Sequence, residues 1–204
     1  MNDYSEAANE SFTIKWPNIK TIVRQRPETS THERTEFPAH EEAGGRASTA
    51  LYFGGPSAAS IAEAALSLAH LSKSWGGGEP FEDGIDNEVS RDIEWLVMHY
   101  KTAAIDALRD SIDAHEIRPH IVSEVLLWLG QIDDPYTRES RFYLLLSCLK
   151  DEESWIRSSA AVALASIEDY RAAGSMARQA AREENAMLRA RLESIALELE
   201  QLKG

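Results

Sequence analysis

The strongest constraint on the fold is a repeat in the second half of the chain. Arg157 and Arg189 are related by a register of 32, and each follows an acidic residue by six positions, Asp151 in one case and Glu183 in the other. Apolar residues after each arginine keep the same register. A period in the thirties with two helices per unit indicates a helical solenoid, because each helix pair can bury its apolar face only against neighbouring pairs.

The rest of the body has helical spacing without a clear repeat. From residue 57 onward, apolar residues recur at intervals of three and four, the spacing of an amphipathic helix. This pattern predicts helices over 57–75, 91–113, 119–132, 135–149, 155–167, 170–181 and 185–202. No segment after residue 56 alternates as a strand does. We therefore expect residues 57–204 to form an all-α domain, a short α-solenoid of about seven helices.

Residues 1–56 differ from the body. They are polar, contain four prolines and show no sustained helical period, so we expect an extended, mostly irregular N-terminal arm. Within it, Phe12, Ile14 and Trp16 alternate with polar residues, which allows a short strand or hairpin over 12–24. Together with Ile19 and Ile22, these apolar side chains have no core of their own and must pack on the body or on a partner.

The segment 150–164 resembles the second-helix signature of HEAT repeats, particularly the short bacterial HEAT-like repeats first associated with phycobilin lyases. The resemblance covers residues 119–202 well and 57–113 only as a helical pattern, and it does not cover the arm. In that family the acidic loop residue and the arginine near the start of the second helix form a ladder between repeats. The resemblance therefore implies an architectural role for Asp151, Arg157, Glu183 and Arg189.

The charge of the chain favours a basic partner. Lys and Arg number 21 against 34 Asp and Glu, a net charge of −13, which repels phosphate backbones and argues against direct binding of nucleic acid. The acidity is densest over residues 79–94. Glu82, Asp83 and Asp86 in this stretch lack the spacing of a calcium loop, so we interpret them as a solvated acidic loop and as candidates for contact with a basic protein.

The single cysteine, Cys148, cannot form an internal disulfide, and its apolar surroundings in the sequence predict a small buried side chain. A reducing cytoplasm fits this. The chain begins without the basic and apolar regions of a signal peptide, and it has no long uncharged apolar stretch. We therefore expect neither secretion nor a membrane span.

Catalysis is the weaker hypothesis. Deoxyhypusine hydroxylase is a HEAT-repeat enzyme in which His-Glu dipeptides directly follow the repeat arginine and hold a metal centre. The His-Glu pairs of this chain begin at His32, His40 and His115, and none follows Arg157 or Arg189. Nothing specifies a tetrapyrrole pocket either. We expect no metal, no cofactor and no catalytic residue, with a metal- or tetrapyrrole-dependent HEAT-repeat enzyme as the lesser alternative.

The leading hypothesis is a non-catalytic protein-interaction module, an adaptor or inhibitor, that binds a basic protein through the solenoid face and the arm. A sharper alternative is an antitoxin or immunity protein that neutralises its target. Beyond the arm and the acidic loop, the candidate contact residues are those predicted to face outward from the second helices of the repeats: Ser123, Leu127, Gln131, Ser158, Ser159, Val162 and Ser166.

The last predicted helix has an apolar seam, formed by Leu188, Leu192, Ile195, Leu199 and Leu202 at alternating spacings of four and three. This seam suits a terminal cap that packs inward on the preceding repeat. A homodimer through the C-terminal helix is the lesser alternative, and the sequence leaves both open.

Overall fold

The computed structural model describes residues 55–75 and 87–203. Over these residues the chain is all-helical and contains no strand, which confirms the all-α prediction. The predicted arm of residues 1–56 lies outside the described residues except for its last two. Eight α-helices are present in the described ranges: α1 Ala58–Leu71, α2 Glu88–Tyr100, α3 Thr102–Asp113, α4 Pro119–Gln131, α5 Arg138–Cys148, α6 Ser154–Ile167, α7 Ala173–Ala180 and α8 Ala186–Gln201, with a short 3-10 turn at Tyr170–Ala172 before α7.

The prediction of one helix over 91–113 is wrong, because the chain breaks at Lys101 into α2 and α3. Lys101 has φ 54° and ψ −126°, a conformation that costs a residue other than glycine about 1–3 kcal/mol. Its ammonium group lies 3.5 Å from the buried carboxylate of Asp134, which contributes to holding the bend. Apolar spacing continues across the break, so periodicity alone could not reveal it.

Packing connects every second helix. In one row α2 packs on α4, α4 on α6 and α6 on α8, and in the other α1 packs on α3 and α3 on α5. Contacts between alternate helices along the chain are expected of stacked helix pairs. Within the described residues, no helix is long and apolar enough to cross a membrane.

Helices α4 and α6 approach each other at van der Waals distance between their backbones. A Cβ atom added to Gly130 would lie 2.6 Å from the Cα atom of Ala163 and 2.8 Å from its carbonyl oxygen. The two backbones are therefore in direct contact, and the contact requires glycine on α4. On α6, Ala160, Ala161 and Ala163 are fully buried, so small side chains on this helix allow the approach.

The apolar seam of the last helix packs inward. Leu188, Leu192, Ile195 and Leu199 are all buried within this chain, and only Leu202 is exposed. Helix α8 contacts α7 and α6. Four of the five seam residues therefore pack inward, as a cap would, and they are not free to form a seam with a second chain. A homodimer through other side chains of this helix stays a prediction.

Cys148 is buried at the end of α5, as predicted. Burial is the main cause that raises the pKa of its thiol to about 12, because a low-dielectric surrounding disfavours the thiolate. The thiol is therefore protonated at neutral pH.

We expect Gly130→Ala to lower the free energy of unfolding by about 1–3 kcal/mol, the usual effect of overpacking, although alanine is the better helix former by about 1 kcal/mol. The measurement is urea unfolding of the full chain followed by circular dichroism. Gly174→Ala on α7 is the matched control: the nearest atom to its added Cβ is the flexible guanidinium of Arg178 at 3.5 Å. That variant should be as stable as the parent or slightly more stable, and equal losses in both would contradict the close α4–α6 contact.

Candidate functional site

The two repeat loops have matching contacts. The guanidinium of Arg157 donates to the carbonyl of Asp151 (2.9 Å), and at the register of 32 that of Arg189 donates to the carbonyl of Glu183 (2.8 Å). The carboxylate of Asp151 accepts from the backbone N–H of Glu153 (2.8 Å), and that of Glu183 accepts from the N–H of Asn185 (3.2 Å). The register predicted from the sequence is therefore present in the hydrogen bonds.

One rung of the predicted ladder joins the repeats. Arg157 donates through Nε and Nη2 to the two carboxylate oxygens of Glu183, both at 2.7 Å. Glu183 is buried and Arg157 nearly so. This two-point hydrogen bond from Arg157 lowers the pKa of Glu183 below its ordinary value, against the opposing effect of burial. The pair links the loop before α6 to the loop before α8 and has an architectural role.

The ladder does not extend through the side chains of Asp151 and Arg189. The Asp151 carboxylate caps its own loop, and Arg189 donates to a backbone carbonyl instead of an acidic side chain. At the register of 35 that relates α4 to α6, the position equivalent to Arg157 is Val122, which is buried. The preceding repeat therefore offers no arginine for Asp151 to pair with.

Three of the predicted contact residues do not face outward. Ser158, Ser159 and Val162 are at most 5% exposed, so the prediction that they form a binding face is wrong. Helix α6 is packed against α4, α5 and α8, and this packing leaves little of its middle open. Their small size serves close packing of helices.

The other predicted contact residues retain some exposure. Gln131 is exposed at the end of α4, while Ser123, Leu127 and Ser166 are half-buried. The hydroxyl of Ser166 donates back to the carbonyl of Val162 at 3.2 Å. The hydroxyl oxygen of Ser123 is buried and has no hydrogen-bond partner among the described residues.

The remaining predicted contacts lie outside the described residues. They are the arm side chains Phe12, Ile14, Trp16, Ile19 and Ile22 and the acidic-loop side chains Glu82, Asp83 and Asp86.

The structure places an aromatic surface on α2, the helix that follows the acidic stretch in the sequence. We name the exposed face of α2 that carries Trp95, Met98 and His99 the α2 surface. Trp95 is 49% exposed and Met98 44%. The ring of His99 stacks on Trp95 at 5.1 Å between centroids with an interplanar angle of 8°. Large apolar side chains on a solvent-facing helix are the usual anchors of protein interfaces.

The α2 surface rests on fixed contacts at its base. Buried Trp75 donates from its indole N–H to the carboxylate of Asp92 on α2 (2.8 Å), and Arg118 donates to the backbone carbonyl of Trp75. Tyr100, edge-on to both Trp95 and His99, shares a hydrogen bond with the Ser67 hydroxyl on α1 (2.9 Å). These contacts orient α2 before any partner binds.

Asn87 is the residue that directly follows the acidic stretch in the sequence, and its side chain is held by hydrogen bonds. Its side-chain oxygen caps α2 by accepting from the N–H of Ser90 (3.0 Å), and its amide N–H donates to buried Glu124 on α4 (2.7 Å). Glu124 also accepts from the indole of Trp128 (2.9 Å). The sequence stretch 76–86 is thus bounded by Trp75 and Asn87, both held by hydrogen bonds.

Sequence reasoning missed the α2 surface, although its signal was present. The predicted core stripe of 91–113 leaves Trp95 and Met98 off the buried face, so both are large apolar residues at solvent-facing positions. On the same face Glu88 and Glu94 are exposed. Arg91 is exposed on this face one turn before Trp95, and the ammonium group of Lys101 lies 3.8 Å from the sulfur of Met98. The surface therefore combines an apolar centre with charged neighbours of both signs.

No group of three or more His, Cys, Asp or Glu side chains able to hold a metal ion occurs within residues 55–75 and 87–203. Of the three His-Glu pairs, only His115-Glu116 lies there. Both side chains are exposed at the turn after α3, where His115 has φ 55° and Glu116 accepts from the Ser111 hydroxyl at 3.0 Å. Comparison of the chain with protein-family models, with curated proteins and with solved structures finds no match.

We expect Glu183→Gln to lower the free energy of unfolding at neutral pH by about 1.5–3 kcal/mol, the usual worth of hydrogen bonds to a charged group. Because the pKa of Glu183 is lowered on folding, its stabilisation is present above the ordinary value of 4.5 and is lost as the pH falls through the lowered pKa. Urea unfolding at several pH values should show the variant and the parent converging in acid. Glu184→Gln, a change at an exposed neighbour, is the control and should be silent, whereas a gap that is constant with pH would contradict the assignment.

Proposed function

We propose that this protein is a non-catalytic interaction module that binds a basic partner protein, with the α2 surface as its anchor. The observation that carries the proposal is the pre-oriented pair of Trp95 and His99, stacked and exposed beside Met98. Tryptophan is enriched among the few residues that dominate binding energy at interfaces. A docking partner would cover its ring and exclude water from the surrounding apolar area.

Acidic groups around this anchor favour a basic partner. Glu88 and Glu94 are exposed on α2, and the sequence stretch that immediately precedes α2 adds Glu79, Glu82, Asp83 and Asp86. Arg91, exposed one turn before Trp95, and Lys101, whose ammonium group lies 3.8 Å from the Met98 sulfur, are the cations beside the anchor, and the acidic residues of this segment outnumber them. An excess of negative charge near an apolar centre steers a basic protein and raises the association rate more than the final affinity. The association should therefore slow as salt increases.

For the scaffold we propose a HEAT-like solenoid. It is supported by contacts between alternate helices, by loop hydrogen bonds that recur at the register of 32 and by an inward-packed last helix. The single unpaired thiol of Cys148 favours a reducing compartment such as the cytoplasm.

The test compares Trp95→Ala with Trp155→Ala. Both indole side chains are about half exposed, at 49% and 50%, but Trp155 lies on α6 and not on the α2 surface. Affinity capture from native extract with the parent protein, at low and moderate salt, identifies stoichiometric partners by mass spectrometry. The purified partner is then titrated against each variant by calorimetry.

We expect Trp95→Ala to weaken binding by about 30-fold, which corresponds to about 2 kcal/mol at an interface anchor, while Trp155→Ala changes little. Thermal unfolding checks that both variants remain folded. The absence of a stoichiometric partner at either salt concentration, or equal binding by the two variants, would overturn the proposal.

A further inference from the structure

Helices α5 and α7 enclose an open groove of about 310 Å³ near their C-terminal ends. Its lining includes Leu146 and Leu149 from α5 and Ser175 from α7, with the cations Lys150, Arg178 and Arg182. Leu149 is buried and Leu146 half-buried, whereas the three cations are exposed. The groove therefore has an apolar floor and a basic rim, and no carboxylate is among its lining residues.

The cations of this basic groove are available for a ligand. Elsewhere in the described chain, Arg157 and Arg171 are committed to carboxylates and Arg141 to backbone carbonyls. For Lys150 and Arg182, by contrast, no side-chain hydrogen bond or ion pair is found in the described part of the molecule. Arg178 donates only to the Ser175 hydroxyl at 2.9 Å, which orients its guanidinium along the groove without neutralising it.

Nearby opposing charges do not cancel the rim. Each helix C-terminus contributes about half a negative charge, so two termini against three cations leave about +2 in the groove. The acidic residues directly next to the rim cations in the sequence are Asp151 and Glu183. Glu183 is buried with both carboxylate oxygens on Arg157, whereas the Asp151 carboxylate accepts only from the N–H of Glu153 and lowers the excess to about +1. Charges beyond about 8 Å are screened at physiological salt. The net charge of the whole chain therefore does not decide what binds here.

We propose that the basic groove binds an acidic peptide segment of a partner protein, with one apolar side chain on the leucine floor and flanking carboxylates on Lys150, Arg178 and Arg182. An apolar centre with a solvent-exposed polar rim is the anatomy of a protein interface. A site built for a small anion would instead bury its polar groups around the ligand, and these cations are exposed. Arginine adds two-point hydrogen bonding to carboxylates.

This second surface has the opposite charge preference to the α2 surface. The module would then join two partners, a basic protein at α2 and an acidic segment at α5 and α7. The inference does not depend on the proposed function, since each surface is defined by different residues and each can be removed without the other.

The experiment is a selection of phage-displayed random short peptides on the full-length protein. We expect enrichment of Asp and Glu on both sides of a single apolar residue. The strongest enriched peptide is synthesised, labelled with fluorescein and titrated by fluorescence anisotropy. Its affinity should fall with added salt, and replacing its apolar residue with serine should weaken binding further.

The double variant R178Q/R182Q should bind this peptide at least about tenfold more weakly. The control is K73Q/R91Q, which removes the same charge from exposed positions on the other end of the described chain and should bind as the parent does. Trp95→Ala should also leave the peptide affinity unchanged, which separates this result from the test of the α2 surface. Circular dichroism verifies the fold of each variant.

Two results would overturn the inference. One is a selection with no acidic enrichment, and the other is equal peptide binding by R178Q/R182Q and K73Q/R91Q. Inorganic phosphate is also added as a competitor, with chloride at the same ionic strength as the control. If phosphate fully displaces the peptide and chloride does not, the groove recognises small anions. This result too would overturn the inference.

Discussion

The backbone contact between α4 and α6 is the constraint on which the arrangement depends. Gly130 meets Ala163 without space for a side chain, and this approach sets the distance between α4 and α6, the two central helices in the row of α2, α4, α6 and α8. It also accounts for buried Ser159, which lies one turn before Ala163 on the face of α6 that meets α4. Ser158 is rotated by about 140° from Ala163 and is buried on another side of the helix. Both serines belong to the packing and not to a binding surface.

Much of the polar chemistry of the repeats holds loops in place. Arginines satisfy carbonyls that helix ends leave without intrahelical partners: Arg141 donates to the carbonyl of Leu129 and Arg138 to that of Ile167. Arg141 also donates to the carbonyl of Asp134 in the loop between α4 and α5. Arg171 bridges Asp169 and Glu139 and lies 4.6 Å from the ring of Phe142. These arginines stabilise the fold through protein partners. The cations of the basic groove at α5 and α7 differ from them because they have no carboxylate or carbonyl partner among the residues that the structure describes.

The sequence was most informative where local and tertiary patterns agree. Most helix positions and the repeat register followed from apolar spacing, and the ladder partners Arg157 and Glu183 from the resemblance. The spacing identified the apolar seam of α8 but did not show which way it packs. The sequence failed where tertiary contacts overrule the pattern. Lys101 breaks a helix whose apolar spacing continues unchanged, and the serines of α6 look exposed only if the closeness of α4 is unknown.

The candidate surfaces were harder to predict from the sequence for a related reason. Trp95 and Met98 could have been found as apolar residues outside the core stripe of α2, whereas only the packing of α5 beside α7 brings the cations of the basic groove together.

The burial of Cys148 gives this chain a built-in reporter of local opening. Its thiol is the only one in the sequence, and burial raises its pKa to about 12, so an alkylating reagent in neutral buffer can react only during moments when the end of α5 opens to solvent. The labelling rate, followed by the mass of the intact protein, would therefore report the frequency of local opening directly beside the groove. A ligand seated on Leu146 and Leu149 should slow that rate without any introduced label.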